Sequence, residues 1–147
     1  MNLEELKKEW EKDCVIDDIE LDKSSLAIPK LHAKYAGMMS DKIITLKKIQ
    51  YEYNKLMKLK WLWFQGKLSE NEIKELGWAD DPFDGLKIMK NDFSYYFNSD
   101  PDLQQLSGKI EYLKICIEFL KQCMENITWR HQTIKNTIEW RKFMAGN

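Results

Sequence analysis

One stretch of the sequence decides the fold: residues 103–143, which read LQQLSGKIEYLKICIEFLKQCMENITWRHQTIKNTIEWRKF. Its apolar residues recur in alternating steps of three and four, broken once at His131, and this spacing is typical of a heptad repeat. A continuous helix of this length would extend about 60 Å at 1.5 Å per residue, roughly twice the diameter of a small domain. We therefore expect identical chains to cover this apolar seam. The residues predicted to do so are Leu106, Ile110, Leu113, Ile117, Leu120, Met124, Ile127, Ile134 and Ile138.

The same stretch carries a second apolar seam, at heptad positions that a two-stranded coiled coil leaves in water. Its members are Tyr112, Ile115, Phe119, Trp129, Trp140 and Phe143. Two seams suit a helix with neighbours on both sides, as in a ring or barrel of helices, or a helix that also packs on its own N-terminal half. We predict that this C-terminal helix forms an intersubunit coiled coil or helical barrel. An intrachain bundle is the alternative, and self-assembly of identical chains is the interpretation favoured here.

The composition indicates an all-α protein. Three prolines and six glycines among 147 residues leave little room for a many-stranded fold, and the abundant lysine, glutamate, leucine and methionine favour helix. No stretch is apolar for long enough to cross a bilayer, and the charged N-terminus does not resemble a signal peptide. We therefore predict an N-terminal helical region over residues 1–101 and a C-terminal oligomerisation helix over residues 102–147.

Helical spacing also runs through the first region. Residues 2–12 are predicted to form a short helix, and a second, longer helical pattern ends at Gly66, which gives a C-terminal stop. Gly37 weakens the middle of that pattern, so two helices are an alternative to one. Ser69 and Glu72 have the spacing of a capping box, which predicts the start of a further short helix.

Charge is segregated along the chain although the net charge is only −1. Residues 1–22 hold nine acidic residues and three lysines, and residues 68–102 hold the same numbers. Between them, residues 42–67 hold seven lysines and a single acid. A basic stretch in a near-neutral chain indicates one local anion-binding surface, and the acidic segments are candidates for docking a partner.

Within the basic stretch, lysines alternate with aromatic residues over residues 47–67, KKIQYEYNKLMKLKWLWFQGK. Single-stranded nucleic acid requires this mixture, because ammonium groups neutralise phosphates and ring faces stack on unpaired bases of any identity. The alternative is a solvated lysine face beside core aromatic residues, and on a helical wheel Lys60 points about 200° away from Lys58. We therefore predict that the N-terminal region, residues 1–101, binds single-stranded DNA. The candidate DNA-binding residues are Lys47, Lys48, Lys55, Lys58, Lys60, Trp61, Trp63 and Lys67.

Enzyme chemistry finds little support in the sequence. The two histidines, His32 and His131, are predicted to be packed or solvated, and no glycine-rich phosphate loop or metal-ligand cluster appears. The three cysteines, Cys14, Cys116 and Cys123, lack metal-site spacing and are expected to be small buried hydrophobic residues in a reducing cytoplasm. We therefore predict no enzymatic activity, no cofactor and no metal.

Three motifs, in this order, resemble those of the UvsY-type recombination mediators of tailed bacteriophages. They are LEELKKEWEKDCVID near the N-terminus, MKLKWLWFQG at the end of the basic stretch and IKNTIEWRKFMAGN at the C-terminus. Length and register agree over nearly the whole chain, apart from a few extra residues before and within the last third. The family's basic DNA-binding pair, a lysine and an arginine, falls on Lys58 and Lys60, so the second position keeps its charge but has no guanidinium.

The resemblance implies an accessory protein of DNA recombination, repair and replication in the cytoplasm of the infected bacterial host, with no membrane partner. It implies a ring of identical subunits, a hexamer or heptamer assembled through C-terminal helices. Such a ring binds single-stranded DNA and helps a RecA-like recombinase replace the single-strand-binding protein. The alternative is a purely structural coiled-coil oligomer, such as a phage scaffold or assembly factor, whose lysines are only solvated.

Overall fold

The computed structural model describes residues 1–146, and helices are the only regular elements within that range. In chain order they are α1 (Leu3–Asp13), α2 (Leu21–Leu26), α3 (Ile28–Phe64), α4 (Glu70–Leu76), a 3₁₀ turn (Lys90–Asp92), α5 (Phe93–Ser99) and α6 (Pro101–Met144). The predicted all-α fold with a long C-terminal helix is confirmed. The helix α3 continues through Gly37 as one helix of 37 residues, so the two-helix alternative does not occur.

Local sequence signals set the ends of these helices. Asn2 caps α1 in a capping box with Glu5, whose backbone N–H donates to Asn2 Oδ1 at 2.9 Å. Ser69 and Glu72 form the predicted capping box of α4. Gly66 follows α3 in the left-handed conformation, with φ of 70°, which glycine adopts readily because it has no Cβ.

The chain forms two compact units, and α3 and α6 each contribute residues to both. Unit 1 comprises Met1–Thr45 with Leu113–Asn147, and unit 2 comprises Leu46–Tyr112. Both units take residues from each side of the predicted boundary at residue 101. The functional division into a DNA-binding region and an oligomerisation helix therefore stays a prediction.

The core of unit 1 packs α1 and α3 against α6. Its fully buried residues are Leu6, Tyr35, Cys116, Leu120, Cys123 and Ile127. Asp13, at the end of α1, accepts hydrogen bonds from Lys34 Nζ at 2.5 Å and from the Tyr35 hydroxyl at 3.1 Å. The buried Arg130 of α6 donates to the backbone oxygens of Asp13 and Val15 at 2.9 and 2.8 Å. The first pair of bonds joins α1 to α3, and the bonds of Arg130 attach the N-terminal segment to α6.

The core of unit 2 is aromatic. Phe64, the last residue of α3, contacts the rings of Phe83, Phe93, Tyr96 and Phe97 at centroid distances between 4.8 and 6.3 Å. Aromatic pairs at these distances stabilise a core beyond the burial of their apolar area. The segment between α4 and α5 therefore supplies part of the core, through Phe83.

Most of the heptad seam of α6 is covered within the single chain. Ile110, Leu113, Leu120, Ile127 and Ile134 are buried, Leu106, Ile117 and Met124 are partly buried, and Ile138 is exposed. The expectation that identical chains must cover this seam is therefore wrong for most of its length. The physical reason is that α3, with 37 residues, is nearly as long as α6, with 44, so each unit contains a section of both helices. For these residues the intrachain bundle is the better description.

We expect only one of the three cysteine thiols to react in the folded protein. Cys116 and Cys123 are buried as predicted, and burial raises the pKa of the Cys123 thiol to about 11, whereas Cys14 is exposed, contrary to the prediction. Disulfide reagents react with the thiolate, so near neutral pH they should modify Cys14 and spare the other two. A chromogenic disulfide should count one thiol in the native protein and three in denaturant. A count of two or three without denaturant contradicts this burial.

Candidate nucleic-acid interface

One face of α3 in unit 2 carries lysine and aromatic side chains in a continuous row. Because an α-helix turns once every 3.6 residues, side chains spaced by three and four share a face. Four such steps lead from Lys47 through Tyr51, Lys55 and Lys58 to Trp61. All five side chains are exposed, and the exposed fraction is 64% for Tyr51 and 41% for Trp61. With two exposed flanking lysines, the row forms what we call the basic–aromatic track: Lys47, Lys48, Tyr51, Lys55, Lys58, Trp61 and Lys67.

The five lysines of the track are available to an anion. Among the described residues, none of them forms an ion pair with a carboxylate, whereas Lys34 and Lys60 do. The row from Lys47 to Trp61 extends about 21 Å at 1.5 Å per residue. Unpaired ammonium groups on an exposed surface attract a polyanion over this whole distance.

A groove lined by both polar and apolar groups lies along the start of the track. It has a volume of about 470 Å³ and is lined by Lys47, Gln50, Tyr51, Tyr53, Asn54 and Ile110. Its amide and phenol groups can donate and accept hydrogen bonds, and its aromatic rings offer apolar faces. The groove therefore has the chemistry to receive an unpaired base beside the lysines.

Lys60 lies outside the track, with only 2% of its surface exposed. Its Nζ is 3.0 Å from Asp100 Oδ2 and 2.9 Å from Asp102 Oδ2. The ring centroids of Trp63 and Trp78 lie 4.9 and 3.9 Å from the same ammonium. Two carboxylates and two indole rings thus surround Lys60, and in this conformation it cannot reach a phosphate.

Trp63 is also held away from the track. Its Nε1 donates to the backbone oxygen of Ala79 at 2.9 Å, and its ring packs on Trp78 with centroids 4.9 Å apart. Both contacts attach the segment after α4 to the end of α3.

Six of the eight predicted DNA-binding residues therefore share one exposed surface, and Lys60 and Trp63 do not. Tyr51 joins that surface, and its helical spacing from Lys47 and Lys55 is the signal that could have identified it.

A second exposed surface lies on α6 in unit 1. Four residues of the second apolar seam are each more than half exposed there: Ile115, Trp129, Trp140 and Phe143. Trp140 packs on Phe143 with ring centroids 5.6 Å apart. Exposed apolar side chains of this size along one side of a helix are candidates for contact with another macromolecule. We call these four residues the apolar face of α6.

The described part of the chain shows neither a metal-ligand cluster nor a membrane-spanning helix. Over residues 1–146, no group of histidine, cysteine and acidic side chains is placed to hold a metal ion. None of the helices in that range combines the length and hydropathy that a membrane span requires.

Comparison with known proteins gives one family and one fold. A family model described as recombination, repair and ssDNA binding protein UvsY matches residues 9–147. No curated protein sequence matches the chain. One crystal structure of the bacteriophage T4 recombination mediator protein UvsY superposes with a TM-score of 0.83 at 21% identity, covering 99% of this chain and 98% of that chain. A second crystal form of the T4 protein gives 0.81 at 19% identity, covering 98% and 99%. At such identities the structural likeness concerns the fold alone.

Proposed function

The chain belongs to the UvsY family of recombination, repair and ssDNA binding proteins, and from this premise we propose that it binds single-stranded DNA as a recombination mediator. The observation that supports the proposal most directly is the basic–aromatic track. Its lysines are exposed and spaced to neutralise successive phosphates, while Tyr51 and Trp61 offer ring faces to unpaired bases. Lysine has no preferred angle toward phosphate, so we expect binding that is indifferent to sequence.

Replacing Lys55 and Lys58 together with methionine is expected to weaken DNA binding and to reduce its dependence on salt. Each phosphate neutralised on a single strand contributes about 0.7 to the slope of log K against log salt, so the loss of two contacts should reduce the slope by about 1.4 per subunit. Fluorescence anisotropy with a labelled oligo(dT) at several salt concentrations measures both quantities. Both lysines are exposed, so the fold should persist.

The matched control is Lys87→Met, because Lys87 is an exposed lysine of unit 2 outside the track. It should leave both the affinity and the slope unchanged. If the unaltered protein does not bind DNA at low salt, the chain is instead a purely structural oligomer whose lysines are only solvated. Equal slopes for the unaltered protein and the double variant would remove the track from the binding site.

The proposal includes assembly of identical subunits into a ring of hexamer or heptamer size. The heptad residues are largely buried inside one chain, so we assign the contact between subunits to the apolar face of α6 instead. Assembly matters for binding, because a single subunit offers only a few charges. A ring presents several tracks to one strand, and each contact that forms raises the effective concentration of the next.

The proposed mechanism is competition for the strand rather than catalysis. A ring that wraps or bends single-stranded DNA weakens the hold of the single-strand-binding protein and presents the strand to a RecA-like recombinase in the cytoplasm of the infected host. The acidic segments at residues 1–22 and 68–102 carry charge opposite to that of the track. We propose them as docking surfaces for these protein partners, since they do not attract DNA.

A further inference from the structure

Lys60 is enclosed by other side chains and cannot contact a DNA phosphate in this conformation. An ammonium group has three N–H donors, and the carboxylates of Asp100 and Asp102 lie within hydrogen-bonding distance of this one. The indole rings of Trp63 and Trp78 occupy the space around it. A phosphate would have to displace two carboxylates from a site that is almost closed to water. Any second basic contact at the end of α3 must therefore come from a different residue.

Lys67 is placed for that contact by the way in which α3 ends. The N–H of Gly66 donates to the backbone oxygen of Trp63 at 3.1 Å, and the N–H of Lys67 donates to that of Leu62 at 2.9 Å. With Gly66 in the left-handed conformation, this pair of bonds is a Schellman motif, which turns the chain back along the last turn of the helix. The position of Lys67 beside that turn is therefore fixed by the backbone.

The turn brings the Lys67 side chain to Trp61. Its Nζ lies 5.1 Å from the centroid of the Trp61 ring, which is 41% exposed. Lys67 is exposed, and none of the ion pairs among the described residues involves it. A base that stacks on an indole ring carries its own phosphate a few ångströms from the ring, within reach of a flexible lysine next to it.

We propose that Trp61 and Lys67 form a subsite for one nucleotide of single-stranded nucleic acid, with the base on the indole ring and the phosphate on the ammonium. Lys67 then supplies the contact at the end of α3 that the family resemblance assigned to position 60. This inference rests on the proposed function, because it specifies part of the same DNA-binding surface. The subsite accepts any base, since every base has a ring face.

The first experiment compares the salt dependence of oligo(dT) binding for variants of the full chain. Lys67→Met is expected to reduce the slope of log K against log salt by about 0.7 per subunit. The folded double variant Lys60→Met/Asp100→Asn is expected to keep the slope of the unaltered protein. Lys87→Met is the control for loss of one exposed lysine in unit 2.

The second experiment tests whether a base stacks on the indole ring of Trp61. Trp61→Ala is expected to weaken binding by roughly 5-fold to 150-fold per bound nucleotide, with an unchanged salt slope, because it removes stacking and no charge. Trp61→Phe keeps an aromatic face and should restore most of the affinity. An oligonucleotide with one 2-aminopurine reports stacking through its fluorescence, which should change on binding to the unaltered protein and much less with Trp61→Ala.

The outcomes separate this inference from the proposed function. If Lys55→Met/Lys58→Met weakens binding while Lys67→Met and Trp61→Ala do not, the subsite is wrong and the function stands. If none of these variants changes binding, the DNA-binding function of the track fails with it. If Lys60→Met/Asp100→Asn loses about 0.7 of slope, Lys60 is the phosphate contact and the subsite is overturned.

Discussion

Replacement of Lys60 by methionine is expected to lower the free energy of unfolding by about 3 kcal/mol, although its sequence context is that of a DNA-binding lysine. The substitution keeps most of the side-chain volume but leaves the Asp100 carboxylate buried without its cation. Breaking a buried ion pair by removing one partner costs about 3–5 kcal/mol, because the remaining charge stays desolvated.

The lower end of that range applies here for two reasons. Asp100 Oδ1 keeps hydrogen bonds from the backbone N–H groups of Asp102 and Leu103, both at 3.0 Å, as the cap of α6. The Asp102 side chain is 53% exposed, so it can turn to water when the ammonium is gone. The remaining cost therefore comes mainly from one oxygen of Asp100, whose side chain is only 7% exposed.

Thermal unfolding at a fixed protein concentration measures the effect, with an expected fall in Tm of about 6–12 °C. Lys58→Met, two residues away on the exposed track, should change Tm little and is the matched control. Lys60→Met/Asp100→Asn should recover at least about 1 kcal/mol, because asparagine carries no charge and still caps a helix. A loss smaller than about 1 kcal/mol for Lys60→Met alone would show that the ion pairs contribute little to the fold.

Much of the fold could be predicted because local signals agree with one another. Apolar spacing indicated α6 over residues 103–143, and the structure has it at Pro101–Met144. Capping residues marked the start of α4 and the end of α3. Periodicity could not show what covers an apolar seam, because the same heptad spacing serves an intrachain partner and a sister chain. The length argument failed because it treated the rest of the chain as a small domain and not as a second long helix.

The candidate site, too, could be predicted from the sequence only in part. The helical period predicts which residues of α3 share a face, and six of the eight chosen residues do lie on one exposed surface. The helical period also placed Lys60 on a different side of α3 from Lys58, but it could not predict which residues Lys60 contacts there. The partners of Lys60 are Asp100 and Asp102, 40 and 42 residues later in the chain, and only the tertiary structure brings these side chains together.

The second large effect is expected from substitutions on the apolar face of α6, which should change the assembly of subunits. Trp129 and Trp140 are 66% and 62% exposed in one chain. Covering the exposed part of one such side chain removes on the order of 100–150 Å² from water, which contributes about 3 kcal/mol per subunit. Truncation of α6 cannot test this contact, because the same helix supplies Leu120 and Ile127 to the core of unit 1. Point substitutions on the exposed face avoid that problem.

Replacing both Trp129 and Trp140 with glutamate is therefore expected to convert the proposed oligomer into monomers that stay folded. Each interface then loses the burial of two tryptophans and would have to desolvate two carboxylates in an apolar contact, which costs free energy for each charge. Light scattering measures the mass, and circular dichroism should show the helix content of the unaltered protein.

Lys135→Glu places the same side chain on a different side of α6 and should leave the mass unchanged. A double variant that keeps the full oligomeric mass would exclude this face as the contact. Monomers that retain weak DNA binding, with a salt slope reduced in proportion to the number of subunits lost, would instead show that the tracks of several subunits act on one strand.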